Sequence, residues 1–282
     1  MAKPERILVV AGSGVYPEML VRGARAAGVA TVDVAAVKGS TSRATCAAAN
    51  HVQTFGIGEI ASAIKWIAAQ GYDGAILAGQ INPLSLFRTK FDETTRRWLS
   101  EMPAKNAHTV YGKLVFEFEK AGIKVLPATC YMDDAIPGEG PLTNRVPDDR
   151  ELRDAEYGAV IARDVGQHDV GQTVLVKEGM VLAVEAFEGT NACIKRGGKL
   201  GGRGSVLFKG ARVGHDMRFD VPVVGLKTLK TMRGAGVTTL AFHAGRLVLL
   251  EREKVLSYAN RHGIAILGLK SDLPPAPLRP VE

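Results

Sequence analysis

From His215 to Thr228 the chain reads HDMRFDVPVVGLKT, with Asp216, Arg218 and Asp220 at every second position and Met217, Phe219 and Val221 between them. In an extended strand, side chains alternate between faces with a period of two. One face would then carry two carboxylates and a guanidinium within about 7 Å, and the other would be apolar. Pro222 follows and disfavours a helix. Two convergent carboxylates suit Mg²⁺, which takes oxygen ligands together with substrate phosphates. Arg218 between them could offset their repulsion and grip a phosphate bidentately. Taken alone, the stretch reads better as an exposed edge strand with an Asp-Arg-Asp ladder; a glutamate cluster and a basic glycine-rich loop elsewhere in the chain favour the ligand site.

A second group of candidates lies in AVEAFEGTNACIKRGG, Ala183 to Gly198. A strand delivers Glu185 and Glu188 to Gly189, and Thr190 or Asn191 could cap the helix that follows. Acidic and amide groups beside a helix N-terminus, followed by Lys195 and Arg196, suit a cation and an anion bound together; the alternative is a capped helix with a surface carboxylate. Between Glu188 and Asp216 there is no acidic residue, while Lys195, Arg196, Lys199, Arg203, Lys209 and Arg212 all fall there. That run is either a solvated loop or an anion site.

Near the start, GSGVYP (Gly12, Ser13, Gly14 to Pro17) sits where a strand gives way to a helix. Backbone N–H groups of such a turn can approach a phosphate, and the helix N-terminus favours its charge. Asp33, about 20 residues on, stands where a dinucleotide fold binds a ribose hydroxyl. Pro17 replaces the third glycine of GxGxxG, so a tight turn without ligand stays open. GQINP places Gly79, Gln80 and Asn82 at the carboxyl end of an inner strand, where they could bind a nucleoside or sugar or simply form a loop. The six histidines show no metal-ligand spacing, and neither GxSxG nor a Walker GxxxxGK[ST] occurs.

The elements that must position these residues read as α/β. RILVVAG, ATVDVAAV, VQTF, DGAILAGQ and IKVLPA predict strands, alternating with helices at Pro17–Gly28, Ile57–Gly71 and His108–Gly122. Such alternation predicts an N-terminal, Rossmann-like parallel sheet over residues 1–135. Ile136–Asp149, with three prolines and two glycines, reads as a linker or a long functional loop. A second α/β domain is expected over 150–270, with a helix at Arg150–Gly166, a hairpin turning at Glu178-Gly179, and strands in SVLFKG, TTLAFHAG, RLVLL and GIAILGL. A proline-rich tail over 271–282 and a ligand cleft between the two domains complete the expected architecture.

Hydrophobic residues make up 46% of the 282 and charged residues 23%, as in soluble globular proteins. No apolar run approaches the roughly 20 residues of a membrane span, and the start lacks the pattern of a signal peptide. Three scattered cysteines argue against a disulfide framework, so a cytoplasmic location is expected. The net charge of +7 favours phosphate-bearing partners.

Together, AGSGVYP, DVGQTVLV, VLAVEAFEGTNACIKRGG, SVLFKGARVGHDMRFDVPVVG and AGVTTLAFHAGRLVLLEREKVLSYANRHGIAILGL resemble the UDP-2,3-diacylglucosamine pyrophosphatase family of lipid A biosynthesis, of the cytoplasmic, non-calcineurin type. The resemblance implies Mg²⁺-dependent hydrolysis of the diphosphate (Mn²⁺ as the alternative ion), giving UMP and 2,3-diacylglucosamine 1-phosphate. It implies Asp220 as the critical acid, with Asp216 and Glu188 as further metal ligands and Lys209 and Arg218 as catalytic cations. Gln172, Glu188, Gly189, Thr190, Asn191 and the turns Gly12–Gly14 and Gly79–Gln80 would bind substrate. Expected partners are the nucleotide-activated lipid and, transiently, the inner leaflet; a homodimer is an option, and no nucleic acid is expected. Four departures stand out: Asn191 where aspartate is usual, His215 where glutamine is usual, Gln80 where a basic residue is frequent, and NAHTVYG at Asn106–Gly112 where an acidic segment is common. A related pyrophosphatase with altered substrate, or a non-catalytic nucleotide-sugar or lipid-phosphate binding protein, are the alternatives these departures suggest.

Overall fold

The apolar runs of the first half become strands β1 (Arg6–Ala11), β2 (Thr31–Val37), β3 (Val52–Phe55), β4 (Gly74–Ala78) and β5 (Val125–Leu126). Ile7, Leu8, Val9, Val32, Ala75 and Ile76 are buried, as continuous apolar strands in a parallel sheet must be. In the computed structural model, which describes residues 4–80, 89–101, 107–210 and 216–272, these strands form one parallel sheet in the order β3-β2-β1-β4-β5. The order reverses beside β1, as in doubly wound sheets. Helices α1 (Tyr16–Ala26), α2 (Arg43–Ala48), α3 (Ile60–Ala68), α4 (Glu93–Glu101) and α5 (Ala107–Lys120) accompany it. Ile64, Ile67, Val115 and Phe118 pack on Leu8, Ala75 and Leu77.

Asp33 does not wait for a ribose. It lies opposite Leu8, towards the amino end of β2, and is 2% exposed. One oxygen accepts from the His51 N–H at 3.1 Å and pairs with its Nδ1 at 3.0 Å. The other accepts from Arg6 Nη2 at 3.3 Å and the Tyr72 hydroxyl at 3.0 Å. Four internal contacts use the carboxylate to tie strand ends together.

This first unit holds the described residues up to Met132 together with Met217–Phe219. The second runs from Asp133 to Asp216 and resumes at Asp220. Its sheet has the order β6-β13-β11-β9-β7-β8, from β6 (Gly140–Pro141), β7 (Thr173–Lys177), β8 (Met180–Val184), β9 (Ser205–Lys209), β11 (Val237–His243) and β13 (Ala265–Leu269). Strands β9, β11 and β13 are parallel, while β7 runs antiparallel to β9 and β8. Short β10 (Val223–Val224) and β12 (Val248–Leu249) pair separately. Helix α6 (Asp149–Gly166) covers one face through Ala155 and Ala162 on Val174, Val176 and Phe208. On the other face α7 (Thr190–Gly201), α8 (Leu226–Gly234) and α9 (Arg252–His262) bury Cys193, Ile194, Leu229, Met232 and Val255 against Leu175, Leu207, Leu240 and Ile266.

The segment 136–149, read from sequence as a linker or long loop, is tied into this sheet. Leu142 N–H donates to Ile266 O at 2.8 Å, Ile266 N–H to Thr143 Oγ1 at 2.9 Å, and Arg145 Nη2 to Glu151 at 2.6 Å. Asp148 then starts α6 with a capping box, its side chain accepting from Glu151 N–H at 2.7 Å. Residues 273–282 of the expected tail lie outside the described residues. Among the described residues no helix is long and apolar enough to cross a membrane.

The β7–β8 hairpin turns at Glu178 and Gly179, both at positive φ (52° and 74°), the geometry that matches strand twist. Buried Asp154 on α6 accepts from both turn N–H groups, at 2.9 and 2.8 Å, and from Arg150 at 3.0 Å. Asp154→Ala is expected to destabilise the fold by about 1–3 kcal/mol, since it removes the shared acceptor of two turn N–H groups and of Arg150. Urea unfolding measures this; a loss below about 0.5 kcal/mol would contradict it.

Candidate active site

Lys209 closes β9 in register with Thr173, the first residue of antiparallel β7. Because β9 and β11 are parallel, Lys209 and His243 both stand at the carboxyl edge of the sheet, where open α/β sheets bind ligands. The Lys209 side chain is only 6% exposed. Its Nζ donates to Thr190 Oγ1 at 2.8 Å and to Thr173 Oγ1 at 3.4 Å. It lies 3.9 Å from Glu185 Oε2. Thr190 Oγ1 in turn donates to Glu185 Oε1 at 2.9 Å. Among the described residues Glu185 Oε2 is buried without a hydrogen-bond partner, and so is Asn191 Oδ1.

Asp220 is held separately by Gln172, whose Nε2 donates to Asp220 Oδ1 at 2.6 Å. Gln172 immediately precedes Thr173, and its carbonyl accepts from Gly210 N–H at 3.0 Å. The expected strand at 216–220 is not formed. Residues 217–219 are a turn, closed by Asp220 N–H donating to Asp216 O at 2.9 Å. Alternation of residue types there reflects a turn, not two faces, and Pro222 ends it before β10. Arg218 Nη1 pairs with Glu119 Oε1 on α5 at 2.5 Å, in the first unit, so the expected Asp-Arg-Asp ladder is replaced. His215 lies outside the described residues.

The EGT segment also departs from expectation. Gly189, at φ +81°, is the N-cap of α7; Thr190 is its first residue and its hydroxyl turns to Glu185 and Lys209 instead of capping. Glu188 accepts from Arg196 at 2.5 Å and from Ala186 N–H at 3.1 Å. Arg196 beside it holds the Glu188 carboxyl below the usual range. The acid beside Lys209 is thus Glu185, three residues earlier. Strand parity gives the signal: Glu185 shares a face with Ala183, as Lys209 does with Leu207 and Thr173 with Leu175, all in the core under α7. The basic run of 188–216 is largely α7 and β9, with Lys195, Arg196 and Lys199 exposed and Lys209 buried.

In the first unit the glycine turn folds onto the end of β4. Gly12 N–H donates to Ala78 O at 2.8 Å, and Ser13 N–H and Oγ both donate to Gln80 O, at 2.8 and 2.9 Å. Gln80 N–H returns to Ser13 O at 3.0 Å. A Cβ on Gly12 would sit 2.7 Å from Gln80 O, and one on Gly79 2.7 Å from Ser13 O, so these glycines allow two loops to touch. Two of the three N–H groups expected to face a phosphate are therefore consumed. Gly14, at φ +97°, lies between them and α1. Asn82 and Asn106 lie outside the described residues. His243 packs edge-on to Phe208 at 5.1 Å, and burial lowers its pKa, so its imidazole is held neutral in the fold.

Residues 6–135 match the family model of the LpxI N-terminal domain, and residues 138–267 that of the LpxI C-terminal domain. The chain belongs to the LpxI family. A relative, UDP-2,3-diacylglucosamine pyrophosphatase LpxI of Caulobacter vibrioides, is 30% identical over 228 residues, covering 76% of this chain and 80% of that protein. The Gln172–Asp220 pair and the network of Glu185, Thr190 and Lys209 all lie within the stretch matched to the LpxI C-terminal domain.

Cys193, in the first turns of α7, reports on this network. Burial first, then the Glu185 charge, pushes its thiol up to about 12. In the folded protein Cys193 is expected to resist iodoacetamide at pH 8 and to react once unfolded. Peptide mass mapping checks this; fast labelling of folded protein would mean that the cluster is open or Glu185 uncharged.

Proposed function

We propose that the chain hydrolyses the diphosphate of UDP-2,3-diacylglucosamine to UMP and 2,3-diacylglucosamine 1-phosphate in lipid A biosynthesis. The observation that carries this reading is the cation–hydroxyl–carboxylate network of Lys209, Thr190 and Glu185, inside the segment that the LpxI family shares. A sequestered ammonium beside a helix N-terminus adds positive potential where a phosphate would bind, more strongly than an exposed lysine would. Gln172 fixes one oxygen of Asp220 and so orients the carboxylate.

Mg²⁺ dependence is supported by the donor set. Asp216 and Asp220 carry hard oxygen donors at the two ends of one turn, which Asp220 N–H closes by donating to Asp216 O. Among the described residues no three His, Cys, Asp or Glu side chains gather as a metal cage. A cation held by one or two carboxylates and completed by substrate phosphate and water fits Mg²⁺. Bound there, it would supply Lewis-acid polarisation of the diphosphate. Asp220 and Asp216 are the residues that would hold it; Glu188, taken up by Arg196, is not needed.

Purified protein incubated with UDP-2,3-diacylglucosamine and Mg²⁺ is expected to release UMP. Asp220→Ala or EDTA should abolish release, and Lys209→Met should slow it about a hundredfold or more. Binding without turnover would favour a non-catalytic nucleotide-sugar protein, and turnover of other UDP-sugars in preference would favour an altered substrate.

The acylated substrate implies contact with a membrane surface, and α7 offers one. Lys195, Arg196 and Lys199 are exposed beside Leu200 (68% exposed), with Phe187 (81% exposed) just before the helix. Cations next to apolar side chains suit an anionic leaflet. Lys195→Gln with Lys199→Gln should weaken binding to anionic vesicles about tenfold or more. Unchanged sedimentation with such vesicles would remove this surface from the reading.

A further inference from the structure

We propose that Glu185 and Lys209 together hold the attacking water, with Glu185 as its proton acceptor; the inference rests on the hydrolytic reading above. Between Lys209 Nζ and Glu185 Oε2 lie 3.9 Å, too far for a direct hydrogen bond. The lysine is nonetheless buried and the glutamate largely so, their side chains being 6% and 13% exposed. Oε2 accepts no hydrogen bond from the described residues, whereas Oε1 is fixed by the Thr190 hydroxyl at 2.9 Å. A donor and an unsatisfied acceptor facing each other across such a gap suit a small group that both accepts and donates. A water about 2.8 Å from each atom fits that separation.

The neighbours hold this arrangement stiffly. Thr190 Oγ1 accepts from Lys209 and donates to Glu185, so its hydroxyl has one orientation that serves both. The Glu185 backbone is pinned by its N–H donating to Thr173 O at 2.8 Å. Gly171 presses so closely on the Glu185 carbonyl that a Cβ there would sit 2.1 Å from it. A pre-positioned acceptor of this kind is what general-base catalysis requires.

In the reaction, Lys209 donates to the water oxygen and Glu185 Oε2 accepts one of its protons, leaving the second lone pair for phosphorus. The oxygen–phosphorus bond forms as the bond from that phosphorus to the bridging oxygen breaks. The bridging oxygen leaves with the electron pair as part of one product phosphate. Glu185 passes its proton to solvent before the next turnover.

The test compares wild-type protein with Glu185→Gln, Glu185→Asp and Glu185→Ala by UMP release under Mg²⁺, each variant first checked by thermal melting. Glu185→Gln is expected to lower kcat about 10²- to 10⁴-fold with KM nearly unchanged. Glu185→Asp keeps the charge opposite Lys209 and serves if the amide variant is unstable; retracting the carboxylate should still cost about a hundredfold in kcat. Added formate should restore part of the rate of Glu185→Ala, which a purely structural role would not allow. Wild-type kcat in a folded Glu185→Gln variant overturns the water-holding role alone. So does loss of rate in Glu185→Ala that formate leaves unchanged. Absence of UMP release from the wild type overturns the hydrolytic reading and this inference with it.

Discussion

Burying the Lys209 ammonium costs several kcal/mol of hydration, and its surroundings are arranged to offset that cost. Two threonine hydroxyls accept from it, and one carboxylate stands 3.9 Å away. A fully exposed pair in water would contribute little, but here the low-polarity surroundings strengthen both attraction and penalty. The balance holds only while the carboxylate is ionised and Thr190 lies between. Every element that reaches this point is constrained by it.

The sheet provides that constraint. Thr173, Glu185 and Lys209 extend the same face that carries Leu175, Ala183 and Leu207, so the polar cluster is the end of an apolar surface. Helix α7 must lie low enough for its first residue to meet that end. Gly197 and Gly198 permit it: a Cβ on the first would sit 2.8 Å from the Leu175 side chain, and on the second 2.4 Å from the Ala235 carbonyl. Small residues deep in the helix therefore decide where Thr190 sits at its start.

Much of the fold was legible because apolar continuity and turn chemistry are local signals. The strands at Arg6–Ala11, Thr31–Val37 and Gly74–Ala78 follow from unbroken apolar runs, and the hairpin at Glu178-Gly179 from its turn residues. The alternation of Asp216, Arg218 and Asp220 misled because a period of two in composition does not specify an extended backbone. A short turn beside a proline produces the same letters. Asp33 misled for a related reason: spacing from a glycine turn says nothing about which end of the strand a residue occupies. Its partners Arg6, His51 and Tyr72 come from separate stretches of chain. Lys209 could be picked out by type, but its burial depends on strand order, which local pattern does not encode.

The choice between Glu185 and Glu188 shows how burial assigns roles to similar residues. Glu188 meets Arg196 at the surface, where solvent screens the pair and its loss would be felt little. Glu185 faces Lys209 at 3.9 Å with both side chains largely withdrawn from water, so solvent screens this pair less. Asn191 follows the same logic. Its Oδ1 is buried without a donor, a cost of about 1–3 kcal/mol. An aspartate at that position would bury a full second charge one residue from Thr190, at a larger penalty unless a further cation matched it. The neutral amide keeps an oxygen at the helix start without adding a charge to compete with Glu185 for Lys209.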